Sequence, residues 1–195
     1  MSLFSATKSG ARAGRQFGAG HAVYRSGGNG LAWRVKHGVI RLDTPRPDGE
    51  MAFASLAIAG DIVGCETLLF GCYTFSASAL TQCELTPWPE GEAVPAGESL
   101  LESLAIAQRR AADVVALRGG QAVDRVTGLI HLLSDAAGQV VLPTRQDIAD
   151  ITDLRFETIS RIIKQLERSH VLEPLRKEGV HATRSFTVNR AALAG

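Results

Sequence analysis

"LRFETISRIIKQLERS", residues 154–169, carries two patterns in one segment. Ile159, Ile162, Ile163 and Leu166 recur at i, i+3, i+4 and i+7, the spacing of a buried stripe on an α-helix. That spacing predicts a helix over residues 155–169. Glu157, Ser160, Arg161, Lys164 and Arg168 fall at i, i+3, i+4, i+7 and i+11, so they line a second face. Most of this second stripe is basic and suits an anionic partner, yet an acid stands at its front. Attraction to phosphates alone gives no use for Glu157.

Working outward, Thr144 with Asp147 three residues on is an N-cap pattern resembling a capping box. It opens a short helix, "RQDIADI", followed by a turn and then the two-faced helix. Two helices joined by a tight turn describe a helix-turn-helix. Behind them, "HVLEPLRKEGVHATRSFTVN" (170–189) holds two strand-like pieces around Lys177-Glu178-Gly179, a β-hairpin that adds a wing. Charge by itself does not decide the matter, because many helical proteins contain such a pair and Lys164 and Arg168 could simply be solvated.

The residues go further than charge. "TRQDIADITDLRFETISRIIKQLERSHVLE" (144–173) resembles the winged helix-turn-helix of the CRP/FNR family of bacterial transcription regulators. The resemblance rests on Thr144, on Asp147-Ile148-Ala149 in the first helix, and on Glu157-Thr158-x-Ser160-Arg161 opening the second. Leu166-Glu167 and Val171-Leu172 before the wing also fit. Asp153 departs from it, standing where the family usually has glycine. Aspartate tolerates left-handed backbone better than most residues, so the turn is expected to survive at some cost in stability.

The resemblance implies a homodimeric, sequence-specific regulator that binds double-stranded DNA, contacts RNA polymerase and is not an enzyme. It implies DNA contacts from Thr144, Arg145, Arg155, Glu157, Thr158, Ser160, Arg161 and Lys164. In the family a glutamate at the Glu157 position accepts a hydrogen bond from cytosine N4, while the arginine at the Arg161 position reads guanine. An acid among cations hinders plain phosphate binding but helps to tell one base pair from another. Glu157, Ser160 and Arg161, with Phe156 rather than arginine before the glutamate, look like the FNR branch, which reads TTGA-type half-sites. Two such readers would sit about 34 Å apart on a near-palindromic operator.

Upstream, "AVPAGESLLESLAIAQRRAADVVALRGG" (93–120) has no breaker between its Gly-Glu-Ser start and Gly119-Gly120. Leu101, Leu104, Gln108, Ala111 and Val115 recur in 3,4,3,4 steps, the seam of a coiled coil. About twenty residues at roughly 1.5 Å each make a helix near 30 Å long. Self-pairing is favoured over internal packing, because small alanines lie along the seam and Arg109 and Arg110 are otherwise hard to place. After the glycines, "QAVDRVTGLIHLLSDAAG" reads as a second amphipathic helix and "VVLP" as the end of a linker.

Residues 14–97 read as short strands broken by Gly-Gly, Asn-Gly, Pro-Asp-Gly and Pro-Trp-Pro. "HAVYRSGG", "LAWRVKHGVIRLD", "EMAFASLAIAGDIVG" and "YTFSASALTQCELTPW" suggest a β-sandwich, roll or barrel. Here too the chain resembles the family, whose order is sensor, dimer helix, DNA reader. The expected class is α+β: an N-terminal double-stranded β-helix (a cupin-like β-roll) over 1–97, a dimerisation helix over 98–119, and a C-terminal winged helix-turn-helix over 120–195.

Composition bounds the alternatives. With 195 residues, 45% hydrophobic and 21% charged, the chain is an ordinary globular one. No apolar run is long enough to cross a bilayer, and the N-terminus lacks the apolar core of a secretory signal. Three cysteines, an odd number, fit a reducing cytoplasm better than a disulfide framework. A cytoplasmic location without a membrane partner is expected. Residues 51–143 hold four Lys/Arg against ten Asp/Glu, whereas residues 1–50 hold eight against three and residues 144–195 nine against seven. That unevenness hints at division of labour.

No cofactor is expected. The family's cyclic-nucleotide binders use Gly-Glu for the ribose and Arg-Ser or Arg-Thr for the cyclic phosphate. Here Gly64 is followed by Cys65, Glu66 comes one place late, and Tyr73-Thr74 stands near the Arg-Ser position. Without a guanidinium the phosphate loses its bidentate partner, so cyclic AMP is not expected. Cys65, Cys72 and Cys83 are too widely spaced for the family's iron–sulfur motif and read as three half-buried strand thiols. A redox role for them is the lesser reading, since it needs exposure and a lowered pKa. His21, His37, His131, His170 and His181 are scattered, which disfavours a metal-dependent cupin enzyme and places them on the surface or wing. The glycines of "FGAGHAVYRSGGNG" lack a following Gly-Lys-Ser/Thr and read as turns. Trp33 and Trp88 are expected in the roll or at its junction with the dimer helix. The competing functional reading is a small-molecule or redox sensor whose winged part mediates protein contacts.

Overall fold

The computed structural model describes residues 14–89, 100–175 and 184–189. The first segment is a roll of two four-stranded antiparallel sheets. One has the order β1 (Arg15–Phe17), β8 (Cys83–Trp88), β3 (Ala32–His37), β6 (Ile62–Val63). The other runs β2 (Ala22–Tyr24), β7 (Ser76–Ala79), β4 (Ile40–Pro45), β5 (Met51–Ala57). Trp33, Val35, Ile40, Ala57, Val63, Ala77, Ala79, Cys83 and Leu85 fill the space between the sheets. Period-two alternation produces this, because successive side chains on a strand point to opposite faces. Gly38 closes the β3–β4 turn at φ 88°, where an added Cβ would run into the Gln82 carbonyl oxygen. One short helix, α1 (Thr67–Phe70), interrupts the strands after β6. Sequence pattern does not reveal it, since four residues carry too little periodicity to stand out against strand texture.

The long helix α2 spans Leu100–Ala116 and packs on β5. Val114 and, just past the helix end, Leu117 are buried on the roll side, joined there by Arg110. Arg110 donates to Asp61 Oδ2 at 2.9 Å, and that carboxylate also accepts the Ile58 N–H at 2.9 Å. Arg110 therefore does not belong with a self-pairing seam, as the sequence suggests: it faces the roll, where a buried carboxylate awaits it. Trp33 is buried inside the roll, and Trp88 lines a cleft between the roll and α2. The expected boundary between residues 97 and 98 lies outside the described residues.

The chain turns at Gly119 and Gly120, the latter at φ 77°, and continues into α3 (Ala122–Leu133). Then come β9 (Gln139–Val141), α4 (Arg145–Thr152), α5 (Phe156–Arg168), β10 (Leu172–Pro174) and β11 (Ser185–Val188). The three strands form an antiparallel sheet in the order β10-β11-β9. Residues read from sequence as the end of a linker thus become the third strand of the wing, paired by Val140 opposite Phe186. Three residues are too few to show alternation, and only the partner strand makes them one. The hairpin tip at Lys177-Glu178-Gly179 lies outside the described residues. A single apolar cluster runs from Val39, Leu56 and Leu80 of the roll through Val114 and Leu117 into Ile148, Ile151, Ile159 and Ile163. Roll, helix and reader therefore share buried surface.

Candidate nucleic-acid interface

The two faces expected of residues 155–169 are present on α5. Ile159, Ile162, Ile163 and Leu166 are buried against α3, α4 and β10. Each such side chain contributes roughly 1.5–3 kcal/mol on removal from water, so together they outweigh the few tenths per residue that helix propensity decides. This anchoring aims the other face outward. Arg155, Glu157, Arg161 and Lys164 are exposed, and Thr158 and Ser160 are half-buried beside them. Among the described residues, no carboxylate pairs with Arg155, Arg161 or Lys164. Glu157 sits in the first turn of α5, where its charge also complements the helix dipole.

Sequence reasoning misses one residue of this face, Phe156. It opens α5 with 48% of its surface exposed, beside Glu157. Standing three residues before Ile159 and seven before Ile163, it reads as one more turn of the isoleucine stripe, and only its exposure sets it apart.

Helix α4 props the reader from behind. Thr144 caps it, its hydroxyl accepting the Asp147 N–H at 3.1 Å while Asp147 Oδ2 accepts the Thr144 N–H at 3.2 Å. The capping box read from sequence is thus formed, with aspartate doing what glutamate usually does. Thr144 is exposed and Arg145 half-buried at the same helix end. Asp153 ends α4 in the left-handed region at φ 54°, ψ 46°, its N–H donating to the Ala149 carbonyl. The substitution of aspartate for the usual glycine leaves the turn intact.

Arginines from outside hold α4. Along its flank, Arg41 of β4 reaches Asp150 Oδ2 at 2.9 Å and Asp147 Oδ1 at 3.3 Å, with Asp43 Oδ1 at 2.8 Å on its Nε. Burial works against its charge, but the hydrogen bonds and proximity of Asp43 and Asp150 more than offset it, so the guanidinium is held more firmly protonated than usual. At the C-terminal end, Arg118 donates to the Asp150 and Ile151 carbonyls at 2.9 and 3.2 Å. Arg125 donates to the Thr152 carbonyl at 3.3 Å. The last carbonyls of a helix lack internal partners, and here distant guanidiniums supply them. Arg41 and Arg118 also lie over the Phe53 ring, at 5.7 and 5.2 Å from its centroid.

Of the expected seam on α2, Leu104 (62%) and Val115 (71%) are strongly exposed, and Gln108 and Ala111 are exposed between them. Leu101 belongs to α2, but its side chain lies outside what is described. The roll thus takes one face of α2 and leaves the heptad face uncovered.

The cysteines do not form the expected set of half-buried strand thiols. Cys65 is exposed in the bend before α1, Cys72 is half-buried in the following loop, and only Cys83 lies in a strand, fully buried. Partial desolvation, with Glu66 adding, pushes the Cys65 thiol up; burial does the same to Cys83. His21, His37, His131 and His170 are exposed, and His181 lies outside the described residues. Among the described residues no helix is long and apolar enough to cross a membrane.

No family model matches the chain. Two curated proteins do. The nitrogen fixation regulation protein FixK of Bradyrhizobium diazoefficiens is 32% identical, over 77% of this chain and 73% of its own length. The chain belongs to the CRP/FNR family of transcription regulators. FixK of Rhizobium meliloti is 30% identical over 86% of this chain and 82% of its own. The fold agrees: FixK2 from Bradyrhizobium japonicum superposes with a TM-score of 0.67 at 24% identity, covering 93% of this chain and 95% of that one. A CRP-family transcriptional regulator from Thermus thermophilus gives the same score at 23% identity, over 92% and 94%. As in that CRP/FNR architecture, a β-roll, a long helix and a winged helix-turn-helix follow one another here. Members of this family are transcription regulators rather than enzymes.

Proposed function

We propose that the protein binds double-stranded DNA as a symmetric homodimer and regulates transcription from near-palindromic operators with TTGA-type half-sites, contacting RNA polymerase when bound. The observation that carries this reading is the division of α5, with one isoleucine-rich face buried and Glu157, Arg161 and Lys164 exposed and unpaired among the described residues on the other. Glu157 accepts from cytosine N4, Arg161 reads guanine O6 and N7, and Phe156 packs on a thymine methyl, the apolar mark of the major groove. Thr144, Arg145, Arg155, Thr158, Ser160 and Lys164 hold phosphates and set the register. The uncovered seam of Leu104, Gln108, Ala111 and Val115 pairs with its copy and spaces the two readers. No cyclic nucleotide is needed.

The test is a fluorescence-anisotropy titration of a duplex with paired TTGA half-sites across a salt series. Arg161→Ala should cost about 1–3 kcal/mol per half-site and erase the preference over scrambled sequence. Lys164→Ala should weaken all duplexes alike and flatten the log–log salt slope by about one unit for each protomer's contact. Unchanged operator preference in Arg161→Ala sinks the assignment.

A further inference from the structure

The loops that form the family's nucleotide cassette enclose a side chain of this protein. Tyr73, 5% exposed, stacks on Tyr24 with ring centroids 3.8 Å apart and planes 9° from parallel. Its hydroxyl donates to the Leu31 carbonyl at 2.8 Å. Its backbone pairs both ways with the glycine loop opposite, N–H to the Gly28 carbonyl at 2.9 Å and carbonyl to the Gly27 N–H at 2.8 Å. The next residue, Thr74, donates its N–H to Glu66 Oε1 at 3.3 Å. Two glycines make room for the ring. A Cβ on Gly64 would come within 2.7 Å of Tyr73 Cε1, and one on Gly30 would overlap the phenol itself.

We infer that Tyr73 is a built-in occupant of this cassette, filling with its own ring the space between Gly30 and Gly64 and holding the roll in one ligand-independent arrangement. For its effect at the operator the inference rests on the DNA-binding reading above. The chemistry inside the cassette is wrong for a phosphate. Residues 64–75 carry no lysine or arginine, and the Glu66 carboxylate accepts the Thr74 N–H. Among the described residues the Tyr24 hydroxyl is buried without a hydrogen-bond partner, a cost that the packing of the ring must offset. Burial, with Glu66 adding, pushes that phenol far above its ordinary range, so it stays neutral. The two stacked rings form a plug between the glycine loops, where a nucleotide binder keeps an opening. The plug ties the α1 segment and the glycine loop to β2 and β7, which already pair in one sheet.

Removing the ring should leave a dry, aromatic-sized cavity, and such cavities take up small aromatic molecules. Tyr73→Ala should lower Tm by roughly 6–20 °C and weaken operator binding. About millimolar p-cresol should restore several degrees and most of the affinity to the variant, while leaving the wild-type protein unmoved. If p-cresol does nothing for Tyr73→Ala, or raises both proteins equally, the inference is overturned. Should Tyr73→Ala not fold, Tyr73→Phe decides: it keeps the ring and loses only the bond to Leu31. Operator affinity near that of the wild type supports the plug, and loss of binding overturns it. If the wild-type protein ignores the TTGA duplex, the functional reading fails, while the p-cresol effect on Tm still decides the cassette.

Discussion

Replacing Arg41 with alanine removes a cation that sits on Asp43 of its own strand and ties the roll to two carboxylates, Asp147 and Asp150, of the first helix of the reader. The guanidinium spans Asp43 at 2.8 Å, Asp150 at 2.9 Å and Asp147 at 3.3 Å. These contacts differ in worth. Arg41 and Asp43 are each only 14% exposed at the side chain, and a charge-assisted bond between such groups contributes about 1.5–3 kcal/mol. Asp150 is 37% exposed, so solvent screens its pair to roughly 0.5–1 kcal/mol. The 3.3 Å contact to Asp147 adds little more. Without Arg41 the three acids also face one another unneutralised. Arg41→Ala should therefore cost about 2–4 kcal/mol, or roughly 5–15 °C in Tm for a chain of this size.

The part that crosses from roll to reader is isolated by a double-mutant cycle of Arg41→Ala and Asp150→Ala, with urea and thermal unfolding followed by circular dichroism. A coupling of about 0.5–1 kcal/mol is expected. Arg41→Lys should recover less than half of the loss, because an ammonium cannot reproduce the fork that engages Asp43 and Asp150 together. Coupling below about 0.3 kcal/mol, with the two single losses simply adding, refutes the claim that this arginine binds the two parts together.

Thr144→Ala, which removes the hydroxyl half of the capping box on α4, should cost about 1 kcal/mol and lower Tm by about 2–4 °C, as read by differential scanning calorimetry. An unchanged Tm would show that Asp147 alone satisfies that helix end. At about pH 7.5 Cys65 should alkylate more slowly than free cysteine despite its exposure, because its raised pKa leaves less thiolate. Mass-spectrometric mapping with iodoacetamide should show its rate still climbing at pH values where that of free cysteine has levelled off. A rate that is fast and flat across neutral pH would revive a redox role for this residue.

How much is legible in the sequence depends on the length of each pattern. The thirteen residues of α5 show the 3.6-residue period in full, and all four positions of the predicted stripe are buried. The capping box is legible because both its halves lie within four residues. By contrast β9 and α1, of three and four residues, are shorter than the patterns that would reveal them. Phe156 is visible in the sequence, but one apolar side chain at a helix start looks like frayed core until its exposure is known. Arg110 reads as part of the wrong face of α2 because its partner, Asp61, lies 49 positions upstream.

By itself, then, the amino-acid sequence determined the succession of a strand-rich segment, a long helix and a winged helix-turn-helix, together with the division of α5 into a buried and an exposed face. All of these follow from interactions within a few residues of one another, where periodicity and capping act directly. Only the tertiary structure decided what holds these parts in place. Arg41 meets acids 106 and 109 positions away, Arg118 and Arg125 meet carbonyls 27 to 33 positions away, and Tyr73 meets Leu31 across 42. Contacts at such separations leave no periodic trace in the chain. They exist because burial brings distant segments together and then requires each charge and polar group left inside to find a partner.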